Sequence, residues 1–227
     1  MSRTAFLEDR IIKILFENKR IINFNFPKNR VDLIVQKQRK NIPIIKMYKF
    51  FRRLDVLQHC IFMQNKNFFD KRLQPQYIFF DSFSELTDQK FTHKKDKFSF
   101  YCHWSDLKHN EQFKKEFECE GLLELEKLEK YYVQLFDKVN KVYGKVPIIF
   151  IHFSTYLDKR DRFKYRAQKI KQVIEKLTNK YDNLYSISIE DKYVTLPVNQ
   201  DKFPYHYSDE TYNKYVEKIR KLGVINE

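Results

Sequence analysis

Three short, continuously apolar segments constrain the fold of this chain most strongly. They are QYIFF at residues 76 to 80, VPIIFIHF at 146 to 153 and NLYSISI at 183 to 189. Each is bounded by turn or polar residues, which is typical of buried strands. Because their hydrophobicity is continuous and does not alternate, both faces of each strand are predicted to be covered, as in a parallel sheet.

Amphipathic segments alternate with these three runs. Apolar residues at three- and four-residue spacing predict helices over residues 116 to 142, 163 to 177 and 212 to 222. Strands and helices in alternation predict an α/β fold with three αβα layers and a parallel sheet. The chain has 227 residues and no linker rich in Pro, Gly and Ser, so we expect one domain covering residues 1 to 227.

Loops at the carboxyl ends of parallel strands meet at one edge of the sheet, where ligands usually bind. Here those loops are residues 81 to 85, 152 to 158 and 201 to 208. The three glycines, at positions 121, 144 and 223, form no phosphate-cradling motif, and the histidines have no H-x-H or H-E-x-x-H spacing. We therefore predict no nucleotide cofactor and no metal site.

The chain is strongly basic, with a formal net charge of +14, of which the first 50 residues carry +8. Such charge suggests nucleic acid or an anionic surface as a partner. No nucleic-acid recognition motif accompanies it, and codon bias toward lysine could also produce it, so nucleic acid is the least favoured partner. Basic residues at 159 to 166 leave two interpretations open: contact with an anionic sugar or donor, or a solvated helix face.

The cysteines and the absence of long apolar runs bear on the compartment. Cys60, Cys102 and Cys119 are far apart and odd in number, which favours reduced, buried thiols over disulfides or a zinc site. No apolar stretch approaches the roughly 20 residues that span a bilayer. We expect a cytoplasmic protein without a membrane span; the oligomeric state is left open.

The segment FPYHYSDETYNKYVEKI, residues 203 to 219, contains the main candidate for catalysis. Ser208 predicts an N-cap, and Asp209 and Glu210 are favourable in a first helical turn. His206 is thereby placed in a loop just before a helix, where a neutral imidazole could act as a general base. The alternative is that His206 packs with Tyr205 and Tyr207 in an aromatic loop.

The His206 segment resembles the last sequence block of the SGNH/GDSL hydrolases, in which a catalytic histidine precedes an amphipathic helix. PQYIFFDSFSEL, residues 75 to 86, is similar to the strand and loop that supply the oxyanion hole in that superfamily, with Ser84 at the position of its asparagine. The likeness covers residues 75 to 220. It is greatest to a group encoded in bacterial surface-polysaccharide gene clusters, and it implies a flavodoxin-like sheet.

Two departures from this superfamily concern the acid and the nucleophile. An aspartate usually stands three residues before the histidine, but this chain has Phe203 there, and Asp201 lies two positions further upstream. The opening MSRTAF resembles the stretch after the nucleophilic turn, so the first strand and that turn are expected to be missing. Three explanations remain open: a chain that begins upstream of Met1, replacement by residues 20 to 26, or a decayed copy; the first is favoured.

The resemblance implies an ester hydrolase or O-acyltransferase that acts on an acylated carbohydrate or acyl donor in surface-polysaccharide biosynthesis. His206 would be the base, Asp201 its orienting acid and Ser2 the one candidate nucleophile, with oxyanion or substrate contacts from Ser82, Ser84, His152 and Tyr205. For His152, a strand-end residue with purely structural contacts is the alternative. Residues 103 to 109 are interpreted as a capped loop. A catalytically inactive binding or scaffold protein and a basic nucleic-acid-associated protein are the competing hypotheses.

Overall fold

The computed structural model describes residues 6 to 17, 19 to 36, 40 to 197 and 204 to 225. The strands are β1 (Ile78–Asp81), β2 (Gln89–His93), β3 (Ser99–Cys102), β4 (Phe117–Gly121), β5 (Ile148–Ile151) and β6 (Leu184–Ile187). The α-helices are α1 (Lys13–Leu15), α2 (Val31–Val35), α3 (Ile44–Met47), α4 (Phe62–Gln64), α5 (Phe83–Thr87), α6 (Glu111–Glu116), α7 (Leu128–Tyr143), α8 (Asp161–Thr178) and α9 (Asp209–Arg220).

Other helical turns connect these elements. π-helical segments at Leu7–Ile12 and Val56–Ile61 lead into α1 and α4. Short 3-10 helices lie at Tyr48–Phe50, Trp104–Asp106, Leu125–Lys127 and Asp191–Tyr193. The chain divides into two compact units: unit 1 comprises Met1–Asn25, Gln74–Ser82 and Tyr143–Glu227, and unit 2 comprises Phe26–Leu73 and Phe83–Val142. The expectation of a single domain stays a prediction.

Unit 1 contains the predicted parallel sheet, with strand order β1-β5-β6. Ile148 of β5 lies opposite Ile78 of β1 and Leu184 of β6, and all four residues of β5 are buried. Helices flank this sheet, so the α/β fold class is confirmed and is compatible with three αβα layers. The continuous hydrophobicity of β5 has its explanation here, because a central strand covered by helices has no polar face.

Two long helices follow β5 and β6 in unit 1. Their apolar stripes are buried through Ile170, Ile174 and Leu177 of α8 and Tyr215, Val216 and Ile219 of α9. Each fully buried aliphatic side chain contributes about 1.5–3 kcal/mol of hydrophobic free energy. The helices predicted over residues 163 to 177 and 212 to 222 are confirmed, with starts a few residues earlier than the apolar spacing indicates.

β1 is an edge strand of this sheet among the residues that the structure describes. Residues 20 to 26 form neither helix nor strand, and Ile22 is 85% exposed. The hypothesis that residues 20 to 26 replace a missing first strand is therefore wrong. Ile22 and Phe24, which would lie on the apolar face of such a strand, are both exposed.

Unit 2 is built around an antiparallel sheet of order β3-β2-β4. Phe91 of β2 lies opposite Phe100 of β3 and Cys119 of β4, and it packs on an aromatic core that includes Phe50, Phe113 and Phe117. The helix predicted over residues 116 to 142 is correct only from Leu128, because residues 117 to 121 form β4. Gly121, with φ of 74°, ends that strand in a conformation that favours glycine.

Unit 2 also contains a buried ionic cluster. The Lys28 ammonium lies 3.2 Å from the carboxylate of Asp88 and 3.1 Å from that of Asp106. The Arg30 guanidinium forms two hydrogen bonds with Asp32, of 2.7 and 2.8 Å. Burial lowers the pKa of Lys28, but the carboxylates of Asp88 and Asp106 more than offset this and raise it above its usual value. Lys28 is therefore charged at neutral pH and is paired with both carboxylates.

Candidate functional site

The loop that contains His206 lies in unit 1 directly before α9. The Ser208 hydroxyl accepts a 3.3 Å hydrogen bond from the backbone N–H of Thr211, which confirms the predicted N-cap. Thr195 reinforces this start, because its hydroxyl lies 2.6 Å from that of Ser208 and its carbonyl oxygen accepts from the Ser208 N–H. The last residues of the loop are thus fixed to the helix that follows.

The two tyrosines beside His206 fix the loop to the segment that follows β5. The buried Tyr207 hydroxyl donates a 2.7 Å hydrogen bond to the carbonyl oxygen of Ser154. The Tyr205 hydroxyl, also buried, donates to the carboxylate of Asp158. His206 itself is half-buried between them. Tyr205 and Tyr207 thus attach the loop on both sides of His206, while packing of His206 on their rings stays a prediction.

Asp158 joins the histidine loop to the start of α8. Its carboxylate accepts hydrogen bonds of 2.9 and 2.7 Å from the Arg160 guanidinium, and a further bond of 2.9 Å from the Arg160 backbone N–H. Burial raises the pKa of the Asp158 carboxyl, but the hydrogen bonds from Arg160 and Tyr205 more than offset this and lower it to about 2. Asp158 is therefore ionised at neutral pH and holds Tyr205 in place.

The carboxyl ends of β1 and β5 are aligned at one edge of the sheet. Asp81, the last residue of β1, lies opposite Ile151, the last residue of β5. Asp81 and Ser82 are both buried at this edge. Ser154 and Asp158 come soon after β5 and are hydrogen-bonded to the loop that contains His206. This loop therefore lies at the same edge of the sheet as the end of β1. This is the edge where parallel sheets usually bind ligands.

His152 is a buried residue with structural contacts. Its Nε2 lies 3.0 Å from the Ser186 hydroxyl, and its backbone carbonyl oxygen accepts a 2.8 Å hydrogen bond from the Tyr215 hydroxyl. Burial, and to a smaller extent the charge of Lys171, lowers the pKa of His152 to about 3. These contacts agree with the alternative of a strand-end histidine that is neutral under physiological conditions.

Ser84 lies in unit 2, on α5. Its side chain is fully buried, and its hydroxyl donates a 2.7 Å hydrogen bond to Asp88, a member of the ionic cluster. Its hydroxyl therefore already has an internal acceptor. The other two predicted residues, Ser2 and Asp201, lie outside the part of the chain that the structure describes.

The loop at residues 103 to 109 is capped, as expected. The His103 side chain accepts from the Ser105 backbone N–H, and the Asp106 carboxylate accepts from the His103 backbone N–H. This reciprocal arrangement is a capping box, and it explains why serine, histidine and aspartate cluster here without forming a catalytic triad.

The described residues contain no group of three or more histidine, cysteine or acidic side chains arranged to hold a metal ion. None of the helices within the described segments is both long and apolar enough to cross a bilayer.

Comparison with known proteins adds no assignment. No protein-family model matches the chain. Searches against curated proteins and against solved structures also gave no match.

The contacts of Tyr205, Asp158 and Arg160 were not predicted from the sequence. The pattern Asp-x-Arg just after an apolar strand is a signal that could have indicated an ion pair at a helix start. The bond between Tyr205 and Asp158 joins residues 47 positions apart, and no spacing rule indicates a pair so distant in sequence.

Proposed function

We propose that this protein is an SGNH-like ester hydrolase or O-acyltransferase in which His206 is the general base. The observation that carries the proposal is the fixed position of the His206 loop, which Tyr205 and Tyr207 bind to the segment after β5. A general base must be held in a fixed position to reach its proton donor, and a hydrogen-bonded loop at the carboxyl edge of a parallel sheet supports such a role.

The reaction follows from the role of a neutral imidazole. His206 accepts the proton of a hydroxyl nucleophile as its oxygen attacks the acyl carbonyl carbon, and the carbonyl oxygen becomes an oxyanion. Collapse of this intermediate breaks the ester bond, and the imidazolium returns the proton to the departing alcohol. Water or a second hydroxyl then attacks the acyl group while His206 takes its proton; the bond from the acyl group to the nucleophile breaks, and the imidazolium returns the proton to the nucleophile's oxygen.

Other residues have supporting roles in the proposal. Ser82 and backbone N–H groups at the end of β1 donate hydrogen bonds to the oxyanion. Ser2 is the candidate nucleophile, and Asp201 the candidate acid that orients His206. Neither His152 nor Ser84 is assigned to chemistry. The His152 imidazole contacts the Ser186 hydroxyl, and the Ser84 hydroxyl donates to Asp88. The carbohydrate substrate and its polysaccharide pathway rest on the resemblance to the SGNH hydrolases alone.

Hydrolysis of p-nitrophenyl acetate by the full chain tests the proposal. We expect His206→Ala to lower kcat/KM by about 10²- to 10⁴-fold, the usual contribution of a general base. His59→Ala is the matched control, because His59 is exposed and lies in unit 2. Equal rates for the wild type, His206→Ala and His59→Ala, with all three folded, would refute the assignment of the base.

A further inference from the structure

Trp104, the only tryptophan of the chain, forms an exposed aromatic stack in unit 2. Its ring is nearly parallel to that of His109, with centroids 3.6 Å apart and an interplanar angle of 8°. His109 Nε2 lies 2.7 Å from the Trp104 carbonyl oxygen, which can only accept, so this nitrogen carries the hydrogen. The stack is therefore preorganised, yet Trp104 remains 46% exposed.

Two cationic residues are backbone neighbours of this stack: Lys108 directly precedes His109, and Arg52 is hydrogen-bonded to the backbone of Asp106, two residues after Trp104. In the antiparallel bridge between Phe51 and Leu107, Arg52 lies opposite Asp106 and Lys108 lies opposite Phe50, so the two residues flank the bridge on the same face. The Arg52 N–H donates to the Asp106 carbonyl oxygen (2.9 Å), and the Lys108 N–H donates to that of Phe50 (2.7 Å). Both side chains are exposed.

The charge of this surface is not compensated locally. Neither Arg52 nor Lys108 forms an ion pair with any residue that the structure describes. The nearby acids are already engaged, since Asp106 pairs with buried Lys28 and Asp55 pairs with Arg53. Between residues 40 and 66 the chain has six lysines or arginines and one acidic residue. An anion is therefore favoured next to the aromatic stack.

We propose that this surface, defined by Trp104, His109, Arg52 and Lys108, binds single-stranded nucleic acid. A base stacks on Trp104, and the flanking phosphates accept hydrogen bonds from Arg52 and Lys108. An aromatic platform beside uncompensated cations is the combination that binds single strands without sequence preference. A polyanion without aromatic bases would interact only with the cations, and an apolar protein surface would interact only with the Trp104 ring. Single-stranded nucleic acid can interact with both.

This inference is independent of the ester-hydrolase proposal. The sequence argued against nucleic acid because its basic charge came with no recognition motif. The spacing of Trp104 and His109 does not reveal their stacking, and the bridge between Phe51 and Leu107 joins segments far apart in the chain. The structure supplies the missing aromatic component, in a unit that does not contain His206.

Trp104 is its own reporter, because it is the sole source of tryptophan fluorescence. We expect a 15-nucleotide oligo(dT) or oligo(U) to quench this fluorescence in the full chain with a saturable isotherm. The affinity should fall as salt rises, since phosphate binding releases counterions. A duplex of equal length should quench less, because its bases are already stacked. Oligo(dT) and oligo(U) separate DNA from RNA as the natural source.

Variants separate stacking from charge, with affinity measured by anisotropy of a labelled oligonucleotide. Trp104→Ala should weaken binding by about 5- to 150-fold, the range for loss of one stacked base, and Trp104→Phe should restore part of it. Tyr165→Ala is the matched control, because Tyr165 is a 57% exposed aromatic residue in unit 1. The slope of log affinity against log salt is negative, and the double variant Arg52→Gln/Lys108→Gln should make it shallower by about 1.4.

Three results would overturn the inference. One is the absence of quenching by either oligonucleotide at low salt. Another is heparin binding as tight as oligonucleotide binding with Trp104 fluorescence unchanged, which would indicate charge alone. The last is equal affinity of folded Trp104→Ala, Trp104→Phe and wild type, which would leave the exposed ring to another class of partner, such as a protein.

Discussion

The phenolic hydroxyl of Tyr205 donates a hydrogen bond to the carboxylate of Asp158. This bond joins the residue directly before His206 to the segment between β5 and α8. Asp158 is 2% exposed and also accepts two hydrogen bonds from the Arg160 side chain. The position of the proposed base therefore depends on a carboxylate that takes no part in the chemistry.

Tyr205→Phe should destabilise the protein and reduce esterase activity together. The variant leaves a buried carboxylate with one hydrogen bond fewer, at a cost of about 1–3 kcal/mol in the free energy of unfolding. Urea unfolding monitored by circular dichroism measures this cost. Tyr156→Phe is the control, because Tyr156 is 56% exposed and lies in the same segment. Equal losses in the two variants would contradict a special role for the Tyr205 hydroxyl.

The Asp158 interactions should make stability depend on pH in the acid range. The folded-state pKa of about 2 lies below the ordinary value of 3.8, so the stabilisation is complete above about pH 4. It is lost as the pH falls toward 2, because the unfolded state binds the proton first. The difference in unfolding free energy between wild type and Asp158→Asn should shrink over this window. A difference that is constant from pH 5 to 2 would be incompatible with an ionised, hydrogen-bonded Asp158.

His152 should produce a second pH dependence, at higher pH. Its folded-state pKa of about 3 lies below the ordinary 6.5, so the unfolded state binds a proton first as the pH falls. The neutral imidazole therefore costs the folded state about 2 kcal/mol at pH 5 relative to pH 7. His152→Gln lacks this titration, so its stability should fall less over that range. Parallel curves of unfolding free energy against pH for the two proteins would contradict a buried, neutral His152.

Lys28→Met should be among the most destabilising substitutions in unit 2. It leaves the buried carboxylates of Asp88 and Asp106 without their cation, and removal of one member of a buried ionic group costs about 3–5 kcal/mol. Chemical denaturation gives the value. Lys130→Met, an exposed position in the same unit, should change stability by less than about 0.5 kcal/mol. Similar stabilities for both variants would mean that Lys28 is not needed to neutralise the cluster.

The parallel sheet could be predicted from the sequence because its signal is local. The four apolar residues of β5 and the apolar stripes of α8 and α9 are each visible within one short window. Ser208 likewise indicates the start of α9 by its chemistry and position. The features of unit 1 that could not be predicted are contacts between segments far apart in the sequence, such as the hydrogen bond from Tyr207 to Ser154.

The antiparallel sheet of unit 2 could not be read from the sequence in the same way. β4 has the sequence FECEG, in which only Phe117 is buried, so it lacks the apolar pattern of a strand. The helical spacing of the apolar residues of α7 was extended back to Glu116, so the predicted helix included β4. The ionic cluster was equally hidden, because Lys28 meets Asp88 and Asp106 only through tertiary structure.

Labelling with a fluorophosphonate probe shows whether His206 activates a nucleophile, because the probe reacts only with a hydroxyl that a nearby base has activated. We expect labelling of one serine, located by mass spectrometry of the full chain, at a rate that His206→Ala abolishes and His59→Ala leaves unchanged. Absence of labelling in the wild type, or labelling that persists at the same rate in folded His206→Ala, would refute the role of His206 as general base.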